Sequence, residues 1–380
     1  MTTFNLPRDT TMQDVVVQLK IIAEAQKAIA SATAIDAMDW YGIAKLVYGG
    51  NAASSLPVGT ALSTIQGDYK YQWDVVHHGT VNGKPDMFLL MHNILGGMMQ
   101  DNTEALYYAE TQLNAGTYNF TIPTGWNDGY GTGKTFQFTL TQNVPAGGVL
   151  MFPWSWQVQA STIKVSSYSS RTSTTAIETV SVTEGSGGTS LGTADGKSTN
   201  LNHIQRSCYG SNNIKESALR QWLNSSATKG NFWTPQTKFD RPPSYANTLD
   251  GFLTTLPDDF KAVVKKRDRK VNTNNVFEVN DTLNSYYTIS DKFWLASRYN
   301  VYGSEEVGSV ATDDVFFDYY NGASNTDRIK YDSSGVAWWW WLHTPGAGGA
   351  GTVRGVNTDG SLNNHNAYNS DGVAPACVIY

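Results

Sequence analysis

The side chains able to do chemistry are few: six histidines, two cysteines and a handful of glycine-rich runs in 380 residues. His77 and His78 are neighbours, and His92, His203, His343 and His365 are scattered. None sits at i, i+4 around a glutamate, so the spacing of a metal site is missing. Cys208 and Cys377 form no Cys-x-x-Cys pair. They read as two buried thiols, or as partners if the ends of one domain meet. "GYGTGKT" (Gly129–Thr135) has the flavour of a phosphate loop, but Asp128 stands where its first glycine belongs. The alternating "FQFTLTQ" that follows reads as a strand after a hairpin turn, so no helix N-terminus is there to hold an anion. "NTDGSLNNHNAYNSDG" is rich in oxygen ligands but lacks the carboxylate spacing and closing glutamate of a calcium loop. A G-x-S-x-G nucleophile turn is absent as well. No catalytic constellation survives, and neither an enzyme, a metal site nor a bound cofactor is expected.

The elements that must position a recognition surface follow from periodicity. Met12, Val15, Leu19, Ile22, Gln26 and Ile29 alternate at three and four residues and predict an N-terminal helix. It either docks or forms a homo-oligomer, or it packs on its own neighbour. From about Leu56 short apolar runs such as "AGTYNFTIPTGW", "KTFQFTLTQNVPAGGVLMFPWSW" and "TIKVSSYSS" predict the strands of a sandwich, with "NTEALYYAETQL" as the one helix among them. Thr183–Asn200 is filled with Gly, Ser and Thr and reads as a linker. Beyond it, Ile214, Ala218, Leu219, Trp222 and Leu223 share a helical face, capped by Asn213 and closed by Asn224–Ser225. A second helix, broken at Pro257, spans "TLDGFLTTLPDDFKAVVKKRD". Strands and long loops complete the chain.

Length suggests two or three domains. The boundaries expected are 1–50 for an N-terminal helical segment, 51–195 for a β-rich domain and 196–380 for a ligand-binding domain. The formal charge of −6 is thinly spread, and the basic run "KAVVKKRDRK" reads as an exposed helix end, so no nucleic-acid partner is expected. No apolar run has the length of a membrane helix and "MTTFNLPRDTT" is not a signal peptide, so neither membrane insertion nor secretion is expected.

The tail begins with "WWWW". In one strand Trp338 and Trp340 would face one way and Trp339 and Trp341 the other, which predicts a central strand with two buried faces. From Leu342 to Tyr380 there is no Trp, Lys, Gln, Glu or Met at all.

On "CYGSNNIKESALRQWLNS", "DKFWLASRYNVYG" and above all "VNTDGSLNNHNAYNSDGVAPACVI", the chain resembles the variable proteins of diversity-generating retroelements, of the kind common in phages and prophages of gut bacteria. The resemblance is strong over roughly 200–380 and weaker over "NTEALYYAETQLNAGTYNFTIP". In that family a reverse transcriptase randomises template adenines, so Asn codons of the AAY type become NNY, which cannot encode the five residues missing here. The resemblance implies an α+β fold class: a C-type lectin-like C-terminal domain preceded by a β-rich, sandwich-like domain and a short N-terminal helix. The "EPN" calcium motif and "WIGL" of animal lectins are lacking, so a fold and not calcium-dependent sugar chemistry is implied.

Asp359, Gly360, Ser361 and Leu362 read as a turn entering a strand, and Gly372, Val373, Ala374 and Pro375 as the lead into the closing strand. Between these scaffold residues, the display positions expected are His343, Thr344, Gly346, Ala347, Gly349, Ala350, Val353, Gly355, Asn363, Asn364, His365, Asn366, Tyr368 and Asp371. The function implied is binding of a protein or glycan on a bacterial surface, by a receptor-binding protein or adhesin carried on a virion or on the bacterial cell surface. The rivals are a fixed-specificity glycan-binding or structural virion protein, and an enzyme of the formylglycine-generating type, which would need a reactive cysteine pair.

Overall fold

The structure, a computed structural model, describes residues 39–104, 107–121, 133–151, 162–170, 173–193, 209–237, 239–273, 285–306, 314–347, 349 and 351–380. The expected helix over 12–29 lies outside the described residues, as does Cys208. A helix α1 (Trp40–Tyr48) opens the described chain. Asp39 caps it by accepting from the Gly42 N–H at 2.7 Å, and Trp40, Ile43 and Val47 form its buried stripe. After a single turn, α2 (Ala52–Ser55), come β1 (Ala61–Gln66), β2 (Tyr69–Val81), β3 (Lys84–Met91) and β4 (Leu95–Met98). Asn82 and Gly83, both at positive φ, make the tight β2–β3 turn.

A run of strands follows: β5 (Tyr107–Tyr108), β6 (Gly116–Thr121), β7 (Thr135–Leu140), β8 (Val149–Met151), β9 (Thr162–Ser170), β10 (Ser173–Ser181), β11 (Thr183–Glu184) and β12 (Thr189–Thr193). They form two four-stranded sheets, β10-β9-β8-β5 and β11-β7-β6-β12, over a core that includes Phe120, Phe136, Phe138, Leu150, Ile163 and Val165. Two expectations are corrected here. "NTEALYYAETQL" is not helical where described: Tyr107 and Tyr108 pair with Leu150 and Val149, because tyrosine suits a pleated, half-buried surface. The linker read at Thr183–Asn200 contains two strands up to Thr193, β12 lying parallel to β6.

The C-terminal part holds α3 (Ala218–Leu223), α4 (Asp258–Val263), β13 (Arg267–Thr273), β14 (Ser285–Asp291), β15 (Trp294–Leu295) and α5 (Arg298–Tyr302). The remaining strands are β16 (Lys330–Tyr331), β17 (Ala337–Trp338), β18 (Trp340–Pro345), β19 (Thr352–Val356), β20 (Leu362–Asn366), β21 (Asp371–Val373) and β22 (Pro375–Ile379). The apolar face expected for α3 is buried, but its cap is Ser217, whose hydroxyl accepts from the Leu219 and Arg220 N–H groups. The basic run read as a helix end passes into β13, and Arg269 within it is fully buried.

Two five-stranded sheets organise this part, β1-β2-β3-β22-β15 and β20-β19-β18-β21-β4. The closing strand β22 pairs with β3, and β21 pairs with β4. Strands on both sides of the boundary expected near residue 195 therefore share sheets, and the strands β5–β12 form a separate sandwich inserted between β4 and α3. Along β3, Met87, Leu89 and Met91 enter one core while Phe88 and Leu90 enter a second, and β22 divides in the same way. This is the two-faced burial of a central strand.

The α+β class with a C-type lectin-like domain is corrected by the same topology. Among the described residues strand outweighs helix, 41% against 15%, and is spread over several small sheets. Only the β-rich part of the expectation fits. Helical propensity was read from apolar faces that the structure satisfies with helices of nine residues or fewer.

Candidate functional site

The residues expected to form the display surface lie on β18, β19, β20 and the connections between them. The β19–β20 register pairs Thr352 with Asn366, Val353 with His365, Arg354 with Asn364 and Gly355 with Asn363. β20 is the edge strand of its sheet, so its residues have a neighbour on one side only. The turn between the strands is the one expected: Asp359 accepts from the Ser361 N–H and hydroxyl, and Gly360 has φ 79°. A Cβ at Gly360 would lie 1.7 Å from the Asn325 carbonyl oxygen, so only glycine fits.

The fourteen positions separate into two sets. His343 and Thr344 are buried, not displayed. The His343 Nε2 accepts from Arg269, with Asp314 3.6 Å away, and Thr344 Oγ1 accepts from the Arg298 N–H at 2.8 Å. Burial and the Arg269 charge push the His343 imidazole pKa down, so it stays neutral in the fold. Burial alone would raise the Asp314 carboxyl pKa, but the Arg269 charge holds it well below its ordinary range. Gly346 and Gly349 are buried in a tight connection. The Gly346 N–H donates to the Thr352 carbonyl at 2.8 Å, and the Asn212 amide donates to the carbonyls of Gly349 at 2.9 Å and Thr352 at 3.0 Å.

Val353 is wholly buried, and a Cβ on Gly355 would stand 3.2 Å from the Trp340 carbonyl oxygen. Asp371 is buried against His365 Nδ1. The Tyr368 ring stacks on Tyr209 with centroids 5.8 Å apart, at the edge of the sandwich core. Reading His343, Thr344, Gly346, Gly349, Val353, Gly355 and Asp371 as display positions is corrected by their burial and bonding, while Tyr368 is half-buried. Ala350 lies outside the described residues.

What remains at the surface is Asn363 and Asn364, exposed, with Ala347, His365 and Asn366 half-buried. Asn363 donates to the Asn357 side chain at 3.1 Å. Beneath them the sheet is fixed by a buried carboxylate. Glu306 accepts from Arg354 Nε and Nη2, both at 2.5 Å, and from Arg298 Nη1 at 2.9 Å. Burial alone would raise the Glu306 carboxyl pKa, but the hydrogen bonds and charges of Arg354 and Arg298 hold it below the ordinary value.

The tryptophan run also divides. Trp340 and Trp341 are fully buried on opposite faces of β18, whereas Trp338 and Trp339 are each 37% exposed. The expectation that all four anchor a core is thus half right. The hairpin β16–β17 turns at Asp332–Gly335, and Trp338 still belongs to that ribbon, paired with Lys330. Its ring meets Trp339 edge-on at 5.1 Å, and Trp339 meets the His365 ring at 6.0 Å. The run "DSSG" just before the tryptophans is the signal that a turn shortens the buried stretch; Asn212, Arg298, Glu306 and Arg354 carried no such signal.

Asn364 and Asn366 alternate to the Arg354 side of β20, so the Trp338–Trp339 pair, the His365 edge and the Asn363 amide make up one surface. It offers ring faces and neutral hydrogen-bonding groups. Among the described residues no group of three His, Cys, Asp or Glu could hold a metal, and no helix is long and apolar enough to cross a membrane. A family profile described as "Domain of unknown function (DUF6273)" matches residues 175–380, covering β18–β20 and the two exposed tryptophans. No curated protein and no solved structure matches the chain.

Proposed function

The chain belongs to the DUF6273 family, and we propose that the surface around β20 is a ligand-binding face diversified by a retroelement, on a phage or prophage receptor-binding protein or adhesin. The observation that carries this reading is the division within the tail. Val353, Gly355 and Asp371 are locked into the sheet, while Asn363 and Asn364, on its edge strand β20, are exposed. A surface that tolerates many side chains cannot also hold the fold together, and here the two tasks fall to different residues of one hairpin.

The tail's lack of Trp, Lys, Gln, Glu and Met from Leu342 onward matches what NNY codons encode. Asn363, Asn364 and Asn366 are the residues an unmutated AAY codon leaves. The diversified set on this reading is Ala347, Asn363, Asn364 and Asn366, whereas His365, bonded to the buried Asp371, belongs with the frame. A rigid frame under them limits the entropy lost on binding, the division of labour seen in antibody loops. The ligand is a protein or glycan of a bacterial surface, and the chain acts from a virion or from the surface of a cell. It works by binding and not by catalysis, and several copies on one particle would raise the effective concentration.

The test is a double substitution, Asn363→Tyr with Asn364→Tyr, in the full chain. The set of gut-bacterial isolates that retain the labelled protein should change, with the thermal midpoint unmoved. An unchanged set of bound isolates contradicts the proposal.

A further inference from the structure

Resting on the reading of this face as the ligand-binding surface, we infer that its Trp338–Trp339 platform takes a neutral, β-linked glycan of gluco-configured sugars. The two indoles are each 37% exposed in a protein that otherwise buries most of its tryptophans, and their planes meet at 70°. A pyranose with equatorial substituents carries axial C–H bonds on both faces, and these polarised hydrogens are attracted to the negative face of an aromatic ring. Successive rings of a β-linked chain are turned over and carry C–H bonds on both faces, so two neighbouring sugars can each meet an indole. On the face that carries His365 and Trp339, the exposed Asn363 presents an amide that can both donate to and accept from hydroxyl or acetamido groups. A few aromatic faces with a few convergent polar groups is the composition of a small-ligand site.

Other ligand classes fit less well. Two indoles exposed to this extent offer roughly 150–200 Å². A stable protein interface needs about 800 Å² per partner. A nucleic acid would also stack on indole, but the chain carries a formal charge of −6, and the nearest guanidinium on the hairpin, Arg354, is already paired with Glu306. An acyl chain would leave the neighbouring asparagine amide facing hydrocarbon.

The experiment is a fluorescence titration of the full chain with tetra-N-acetylchitotetraose and cellotetraose, repeated on Trp338→Ala, Trp339→Ala and Trp339→Phe. The expected result is a saturable change in tryptophan emission with at least one of the two sugars. Affinity should fall at least tenfold in W338A and W339A and less in W339F, with melting midpoints close to that of the parent chain. Melting reports a folding defect separately, and W339F keeps a ring where W339A leaves none. Absence of saturable change with both sugars overturns the inference, and so does binding that survives both alanine substitutions. The surface reading fails separately: if the sugars bind but the bacterial isolates retained are unaffected by the Asn363→Tyr, Asn364→Tyr pair, the glycan inference holds and the diversified face does not.

Discussion

Trp340 and Trp341 leave β18 in opposite directions and each is tied down at its far end: the Trp340 indole donates to the Arg328 carbonyl at 3.0 Å, and the Trp341 indole to the Met98 carbonyl at 2.7 Å. Trp340 fills the core shared with Phe88, Trp294 and Phe317, and Trp341 the core shared with Met98, Val353 and Val373. One strand thus joins two cores, and the surface residues that follow it inherit a fixed position.

Removing that anchor should be expensive. Trp341→Ala leaves a large cavity and an unsatisfied Met98 carbonyl, for an expected loss of about 3–5 kcal/mol. Trp339→Ala, two residues away but exposed, should lose less than half of that. Denaturant unfolding of both variants checks the contrast, and equal losses would contradict the division of the tryptophan run.

Two glycines with positive φ give a second contrast. Gly360 has φ 79° and no room for a Cβ, whereas Gly322 has φ 76° and nothing within 4 Å. Gly322→Ala should cost about 1 kcal/mol, the strain of the left-handed backbone alone. Gly360→Ala must in addition displace the Asn325 backbone, so its melting midpoint should fall well below that of the Gly322 variant.

Glu306 sets the acid limb. Its folded pKa is lowered, so the stability it contributes is complete above the unfolded value of about 4.3 and is lost as the pH falls through the folded value. Glu306→Gln should flatten the decline in stability below about pH 4. At neutral pH it should lose about 3 kcal/mol or more, since two guanidinium groups then lack their shared carboxylate. Chemical denaturation at several pH values measures both.

Lys330 acts at the other end of the scale. Its ammonium donates to the carbonyls of Met91 at 2.5 Å and His92 at 3.0 Å and lies over the Trp340 ring. Burial pushes its pKa down from 10.5 to about 8, with Asp74 opposing. Between those values the unfolded chain holds more protons than the folded one, so stability should rise with pH from about 8 to 10. The slope contributed is at most about 1.4 kcal/mol per pH unit. Lys330→Met should remove that rise, and a slope unchanged in the variant would show that another group causes it.

Sequence patterns fixed what depends on neighbours in the chain. The α3 face, the break at Pro257, the Asp359–Ser361 turn and the start of β22 at Pro375 all occur where periodicity and turn chemistry put them. Long-range pairing was not legible. Nothing in Met87–Met91 says that its partner is Ala376–Ile379, because a strand buried on both faces reads as a plain apolar run. The display set was overread for a related reason. A Gly- and Asn-rich tail looks like surface, yet Gly349 is buried, and Gly346 and Gly355 stand where a Cβ would press on neighbouring atoms. Asn363 and Asn364, on the edge strand β20, are the two expected display positions that the structure leaves exposed.

The most direct test of the account is to sequence the encoding locus, with several kilobases on each side, from a population of the source organism. A reverse transcriptase gene beside a near-copy of the codons for 338–380, differing at adenines only, is the result predicted. Variation among alleles should fall on Ala347, Asn363, Asn364 and Asn366 and spare Val353, Gly355, His365 and Asp371. A locus without a repeat, with the same codons in every copy, would contradict a diversified face and leave a surface of fixed specificity.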